Sequence, residues 1–223
     1  MKHIVVDLEM NSLAKEYKVE KEICNREIIE IGAVVLDENY QEVNSFKTFV
    51  KPQYNDKIKP YFEKLTGIST TMVENAPVFE EALKMFCSWC KSMGEDVQLY
   101  QWSESDMEQI HSEMKLKGIT LEDVYQKLLS NCLDFQKEFG DKLHLTNAVS
   151  LKNAIMYAGI DFEGTEHDAL DDARNTATLL KIVRTPDLCK IALESVIDAL
   201  NPSPVSTSLG SVFNFEELGF IVA

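Results

Sequence analysis

The chain has 223 residues, of which 45% are hydrophobic and 26% charged, a composition that belongs to an ordinary globular protein with enough length to bury a sizeable core. Its opening run, Lys2-His3-Ile4-Val5-Val6-Asp7, is too short and too soon acidic for a signal peptide, and no apolar stretch approaches the roughly 20 residues of a membrane span. A soluble, cytoplasmic protein is expected. The net charge of −15 argues against tight gripping of a long polyanion, because phosphate contacts call for a basic stripe.

Residues 3–9 read as a buried strand, with Ile4, Val6 and Leu8 on one face and Val5, Asp7 and Glu9 on the other. Residues 28–37 and 42–50 read as two further strands joined by a short polar turn. Helical spacing follows at 59–65 and 78–92, then a strand over 96–102 that runs into a helix at 106–117. A helix near 121–130 precedes a short strand at 132–136. Helices over 148–158, 168–184 and 187–200 complete the predicted elements. Three consecutive strands followed by alternating strands and helices predict an α/β domain over 1–200, with a mixed sheet flanked by helices. From Asn201 the composition shifts to Ser and Pro and ends in Phe213, Phe215, Leu218, Phe220 and Ile221. Residues 201–223 therefore read as a linker and an apolar tail, which packs back on the domain or docks a protein partner.

The five cysteines form no disulfide framework. Cys87 and Cys90 share helical spacing with Leu83 and Phe86, and no second Cys or His pair completes a zinc site. They are read as core.

Three segments carry candidate chemistry. Asp7 and Glu9, at i and i+2 of a strand, present both carboxylates on one face. Burying two like charges is expensive unless a hard divalent cation neutralises them; a solvated strand end is the plainer alternative. Asp106 follows the strand over 96–102, where α/β sheets place their sites. Ser105-Asp106-Met107-Glu108 equally fits a capping box with Ser105 as N-cap. In Gly164-Thr-Glu-His167-Asp168-Ala-Leu-Asp171-Asp172, Asp168 suits a helix cap. His167 and Asp172, five apart, would diverge by about 140° on one helix, so His167 reaches the same site only from a loop before it. Periodicity does not choose between Asp171 and Asp172.

Taken in order, the three segments resemble the DEDD-type exonucleases of the ribonuclease H-like fold, in the histidine-containing subgroup. That group includes proofreading domains, ribonuclease T, oligoribonuclease and the histone-mRNA exonucleases. The resemblance covers roughly residues 1–185. Asp7-Leu-Glu9 corresponds to the first motif, and Gln101-Trp102-Ser-Glu-Ser-Asp106 looks like the second as it stands in the histone-mRNA-exonuclease branch. His167-Asp-Ala-Leu-Asp-Asp172 fits the third, a register that selects Asp172. Glu27-Ile-Ile-Glu-Ile-Gly-Ala-Val and Leu65-Thr-Gly-Ile-Ser are also similar to family sequence. Ser105 departs from the pattern, since this branch usually has an aromatic there, and so do the neighbours of Glu9.

The resemblance implies a five-stranded ribonuclease H-like sheet and 3′→5′ exonuclease activity that releases nucleoside 5′-monophosphates. It implies two Mg²⁺ or Mn²⁺ ions held by Asp7, Glu9, Asp106 and Asp172, with His167 as general base. A histidine base implies activity that climbs through neutrality. Met10, Asn11 and Trp102 are the implied substrate contacts. Screening of charges beyond about 8 Å at physiological salt softens the objection from net charge, but the remaining acidity still points to short or end-gripped RNA or single-stranded oligonucleotides. A DNA proofreading subunit and a non-catalytic adaptor that keeps the fold are the alternatives.

Overall fold

The computed structural model describes residues 1–200; the expected linker and tail at 201–223, with any partner they dock, lie outside the described residues. Strands β1 (Lys2–Ser12), β2 (Arg26–Leu36) and β3 (Glu42–Phe49) form an antiparallel meander. Strands β4 (Val97–Gln101) and β5 (Cys132–Asp134) join the opposite edge of β1 in parallel, giving the order β3-β2-β1-β4-β5. The crossover into β4 carries α1 (Pro60–Thr66), α2 (Thr70–Val73) and α3 (Phe79–Ser92). The next carries α4 (Ser105–Lys117) and α5 (Asp123–Ser130). After β5 come α6 (Phe135–Lys142), α7 (Leu151–Tyr157), α8 (Ala169–Arg184) and α9 (Pro186–Leu200). Among the described residues no helix is long and apolar enough to cross a membrane.

Central position explains the β-branched, two-sided character of β1. Ile4, Val6 and Leu8 pack into one core with Phe86, Cys87 and Ile110, while Val5 packs into the other with Phe135, Phe139 and Leu180. Each such burial contributes about 1.5–3 kcal/mol. Cys87 and Cys90 are fully buried in the first core, as their helical spacing predicts, and burial alone pushes the Cys87 thiol up to about 12.

Two local expectations need correction. Ser105 is the first residue of α4 rather than its N-cap; Glu104 takes the cap position without a side-chain bond, and the Ser105 hydroxyl pairs with that of Ser103 at 2.7 Å. The strand expected over 132–136 ends at Asp134, whose carboxylate accepts the Lys137 N–H (3.1 Å) and starts α6. Phe135 and Phe139, at i and i+4, then drive that helix into the core.

A bulge lies directly after the second candidate acid. Glu9 pairs with Glu30 but Met10 pairs with Ile28, so the β2 strand carries one extra residue. The Ile28 N–H donates to the buried Glu113 carboxylate on α4 (2.8 Å). Glu113 also meets Gln109 (3.0 Å) and Lys117 (2.7 Å), and Lys117 bridges to Glu27 at 3.0 Å. The far end of α4 is thereby fastened to the bend in the sheet that follows Glu9.

Candidate active site

Asp7 and Glu9 stand on the same face of β1, opposite Gly32 and Glu30 of β2. On the other side, β4 stops pairing at the Val6–Gln101 step, and the chain turns into α4 so that Asp106 arrives in its first turn. The Gln101 side-chain oxygen accepts the Met107 N–H at 2.9 Å and fixes that turn. The third segment comes in over β2. A Cβ on Gly32 would lie 2.3 Å from the Ala169 carbonyl carbon and from the Leu170 nitrogen, so the start of α8 rests directly on the glycine. The buried Glu30 carboxylate accepts the Ala169 N–H at 3.0 Å, and Lys47 pairs with Glu30 (3.2 Å) and with Asp168. Asp168 caps α8 through the Leu170 and Asp171 N–H groups.

His167 sits just ahead of that cap, with φ +66°, in the left-handed region. It lies in the loop, as its five-residue distance from Asp172 requires. Its N–H donates to Asp172 Oδ2 (3.3 Å), and its ring Nδ1 is 3.9 Å from Glu9 Oε1. The choice between the neighbouring aspartates is also resolved in space. Asp171 turns away from the cleft, accepting the Thr165 N–H at 2.9 Å and facing Arg174 at 3.6 Å. Gly164 is required there, since a Cβ would strike the Asp171 carboxylate at 2.2 Å. Asp172 lines the cleft with Asp7, Glu9, Asp106 and His167.

The charge balance of this cleft is severe. Burial, then the charges of Asp106, Asp172 and Glu9, raises the Asp7 carboxyl well above the usual carboxylate range. Burial and the Asp172 charge push Glu9 up to about 9 and Asp106 to about 8. Burial raises Asp172 to about 7, although the His167 N–H opposes the rise. Asp172 Oδ1 is buried without a hydrogen-bond partner, and ligand atoms of Glu9, His167 and Asp172 lie within 4.8 Å of one another. Hard oxygen donors, mutual repulsion and an orphaned acceptor together fit a divalent cation.

The expected substrate contacts fare differently. Met10 lines the cleft. Trp102 reaches it only at an edge, being 7% exposed, packed on Phe135 and Phe139, and bonded through its indole N–H to the Val149 carbonyl at 3.2 Å. Asn11 does not reach it at all. Fully buried, it accepts the Lys59 N–H at 3.1 Å and donates to the Lys57 carbonyl, pinning the loop before α1. Lys59 is taken up by the fold in the same way, since its ammonium bonds the Ser12 hydroxyl and the Leu13 carbonyl. Sequence reasoning missed Phe62 and Leu65 of α1, which form an apolar wall of the cleft. It also missed Glu30 and Lys47, although the Glu30-Ile-Gly32 stretch was the available signal.

The mixed sheet, with its acids gathered where β1 and β4 part, defines a carboxylate site on a ribonuclease H-like exonuclease fold. The sequence profile described as Exonuclease (RNase_T) matches residues 4–180, and the chain belongs to that exonuclease family. It is 29% identical over 230 residues to ERI1 exoribonuclease 2 of Mus musculus, covering 93% of this chain and 32% of that protein. It is 31% identical over 204 residues to the PolC-type DNA polymerase III of Caldanaerobacter subterraneus subsp. tengcongensis, covering 86% of this chain and 12% of the polymerase. The nuclease domain of 3′hExo, a DEDDh family member bound to rAMP, superposes with a TM-score of 0.69 at 21% identity, covering 82% of this chain and 90% of that one. The chain spans about a third of the length of the curated ERI1 exoribonuclease 2 relatives it matches.

Proposed function

We propose that the protein is a metal-dependent 3′→5′ exonuclease that removes nucleoside 5′-monophosphates from RNA or short single-stranded oligonucleotides. The observation that carries the reading is the convergence of Asp7, Glu9, Asp106 and Asp172 on one cleft with His167 at its edge. Two divalent cations, Mg²⁺ or Mn²⁺, held by those four carboxylates would supply Lewis-acid stabilisation of the charge that develops on the phosphate oxygens.

The chain's own groups account for the rest. His167 receives the proton of the attacking water on its ring, a role that typically contributes 10²–10⁴-fold. Its left-handed backbone and its N–H bond to Asp172 keep the ring beside Glu9 instead of on the helix. Met10, Phe62 and Leu65 give the terminal base an apolar surface, and the edge of Trp102 closes it. Water's oxygen joins the phosphorus as the bond to the 3′-oxygen of the preceding nucleotide breaks.

RNA is the favoured substrate because the ERI1 relatives are exoribonucleases by name. The polymerase relative supports DNA as the second reading. A 5′-labelled oligoribonucleotide and its DNA counterpart, incubated with Mg²⁺ or Mn²⁺, test both. Stepwise shortening from the 3′ end that is lost in Asp7→Asn is expected, faster on RNA. A labelled oligomer that stays at full length under both metals would refute the nuclease and favour an adaptor that only keeps the fold.

A further inference from the structure

The chain has three arginines. Arg174 is paired with Glu42 (3.1 Å) and Asp171, and Arg184 with Glu138 at 2.8 Å. Arg26 makes no ion pair among the described residues; its guanidinium hydrogen-bonds the Met10 sulfur at 3.7 Å. In a protein of net charge −15, an arginine without a carboxylate is the exception. Arg26 is also the one lysine or arginine on the lining of the acid cleft, among the described residues.

Its backbone is held in place. The Arg26 carbonyl accepts from Gln109 Nε2 and from the Cys24 thiol, each at 3.0 Å, while the guanidinium end stays exposed. A second cavity of about 290 Å³ is also lined by this side chain, with Lys21 and Asn25 on its wall and Glu108 as its acid. Met10, Arg26 and Ser105 line both spaces, so the two are neighbours. Ser105, small where an aromatic was expected, stands between them.

A nucleic-acid strand whose 3′-terminal nucleotide fills the acid cleft must send its preceding nucleotide out of it. The four carboxylates repel every phosphate except the one they engage through cations. An unpaired guanidinium beside the exit offers a planar fork that matches a phosphate. We propose that Arg26 and the cavity beside it form the subsite for the penultimate nucleotide, with Arg26 binding the phosphate on that nucleotide's 5′ side. This rests on the exonuclease reading given above and adds where the strand runs and which phosphate it needs.

The test uses two substrates that share one scissile bond, UpU and its 5′-phosphorylated form pUpU, with Mn²⁺ and the full chain. Wild type is expected to prefer pUpU by roughly 10- to 100-fold in kcat/KM, the size of a charge-assisted phosphate contact. Arg26→Ala should erase the preference, Arg26→Lys should restore part of it, and the slope of log KM for pUpU against log salt should shrink by about 0.7. A merely structural arginine would slow both substrates alike and leave their ratio in place. If wild type cleaves oligomers without preferring pUpU, or if the preference survives in Arg26→Ala, the subsite is refuted and the nuclease stands. If wild type cleaves no oligomer with either metal, both fall together.

Discussion

Gly32 of β2 and Ala169 of α8 approach so closely that a methyl group cannot be placed between them: a Cβ on the glycine would lie 2.3 Å from the alanine's carbonyl carbon. Gly32 is the partner of Asp7 in the β1–β2 ladder, and Ala169 precedes Asp172 by three residues. The contact therefore sets the distance between the first and third acidic segments. Gly32→Ala should force the start of α8 off the sheet. The expected loss is about 1–3 kcal/mol of stability, or roughly 2–12 °C in melting temperature. Cleavage should suffer more than stability does, because Asp172 and His167 move with the helix. Thermal melts and single-turnover rates on one preparation check this, and an unchanged rate would show that the contact does not position the acids.

Lys47 stands between Glu30 and Asp168, and so ties β3 to both β2 and the cap of α8. Glu30 is 1% exposed, and without the lysine its charge keeps only the Ala169 N–H. Lys47→Met is expected to cost about 1–3 kcal/mol. Adding Glu30→Gln should recover part of that loss, since an amide still accepts the N–H and leaves no buried charge. Strictly additive losses in the double variant would mean that the two side chains do not interact.

Asp171 and Asp172 are adjacent in sequence but serve different parts of the site. Asp172→Asn removes a cleft carboxylate whose Oδ1 has no other partner. It should lower metal-dependent cleavage by roughly 10²-fold or more, the scale of losing one transition-state stabilising group. Asp171→Asn keeps an oxygen for the Thr165 N–H, and so should retain cleavage within about tenfold. Rates for the two variants under saturating Mn²⁺ decide the matter; a reversed order would place the wrong aspartate in the cleft.

The acid cluster also predicts how pH and metal act together. Unfolded carboxylates titrate near 4, whereas in the metal-free fold Asp172 stands at about 7, Asp106 at about 8 and Glu9 at about 9. Between those values the folded chain holds protons that the unfolded chain releases, so metal-free stability falls as pH rises. In chelator, the melting temperature should fall continuously from about pH 5 and level off towards about pH 9 as the interacting carboxylates ionise together. Divalent metal competes with those protons and should stabilise more at the higher pH. Equal metal-induced shifts at both ends of the range would show that these carboxylates do not bind it.

Local pattern alone was enough to find most of the elements and both faces of β1, because Ile4, Val6 and Leu8 alternate with Val5 and the acids at a period of two. Motif order also assembled the five residues Asp7, Glu9, Asp106, His167 and Asp172, through resemblance. What local pattern could not reach were groups whose roles depend on partners distant in sequence. Asn11 looks like a polar neighbour of a catalytic acid, yet the loop at 57–59 takes its amide. Trp102 looks like a substrate contact, yet its ring packs against Phe135 and Phe139 and its indole N–H goes to the Val149 carbonyl. Ser105 fits a cap by spacing, but the turn out of β4 begins the helix one residue earlier than that spacing implies. By itself the sequence determined which chemical groups exist and which faces are apolar. Only the tertiary structure decided which carboxylates share a cleft, which arginine makes no ion pair among the described residues, and that Gly32 must be bare for α8 to come down. Those are distances between segments far apart in the chain, and packing sets them where no local period can.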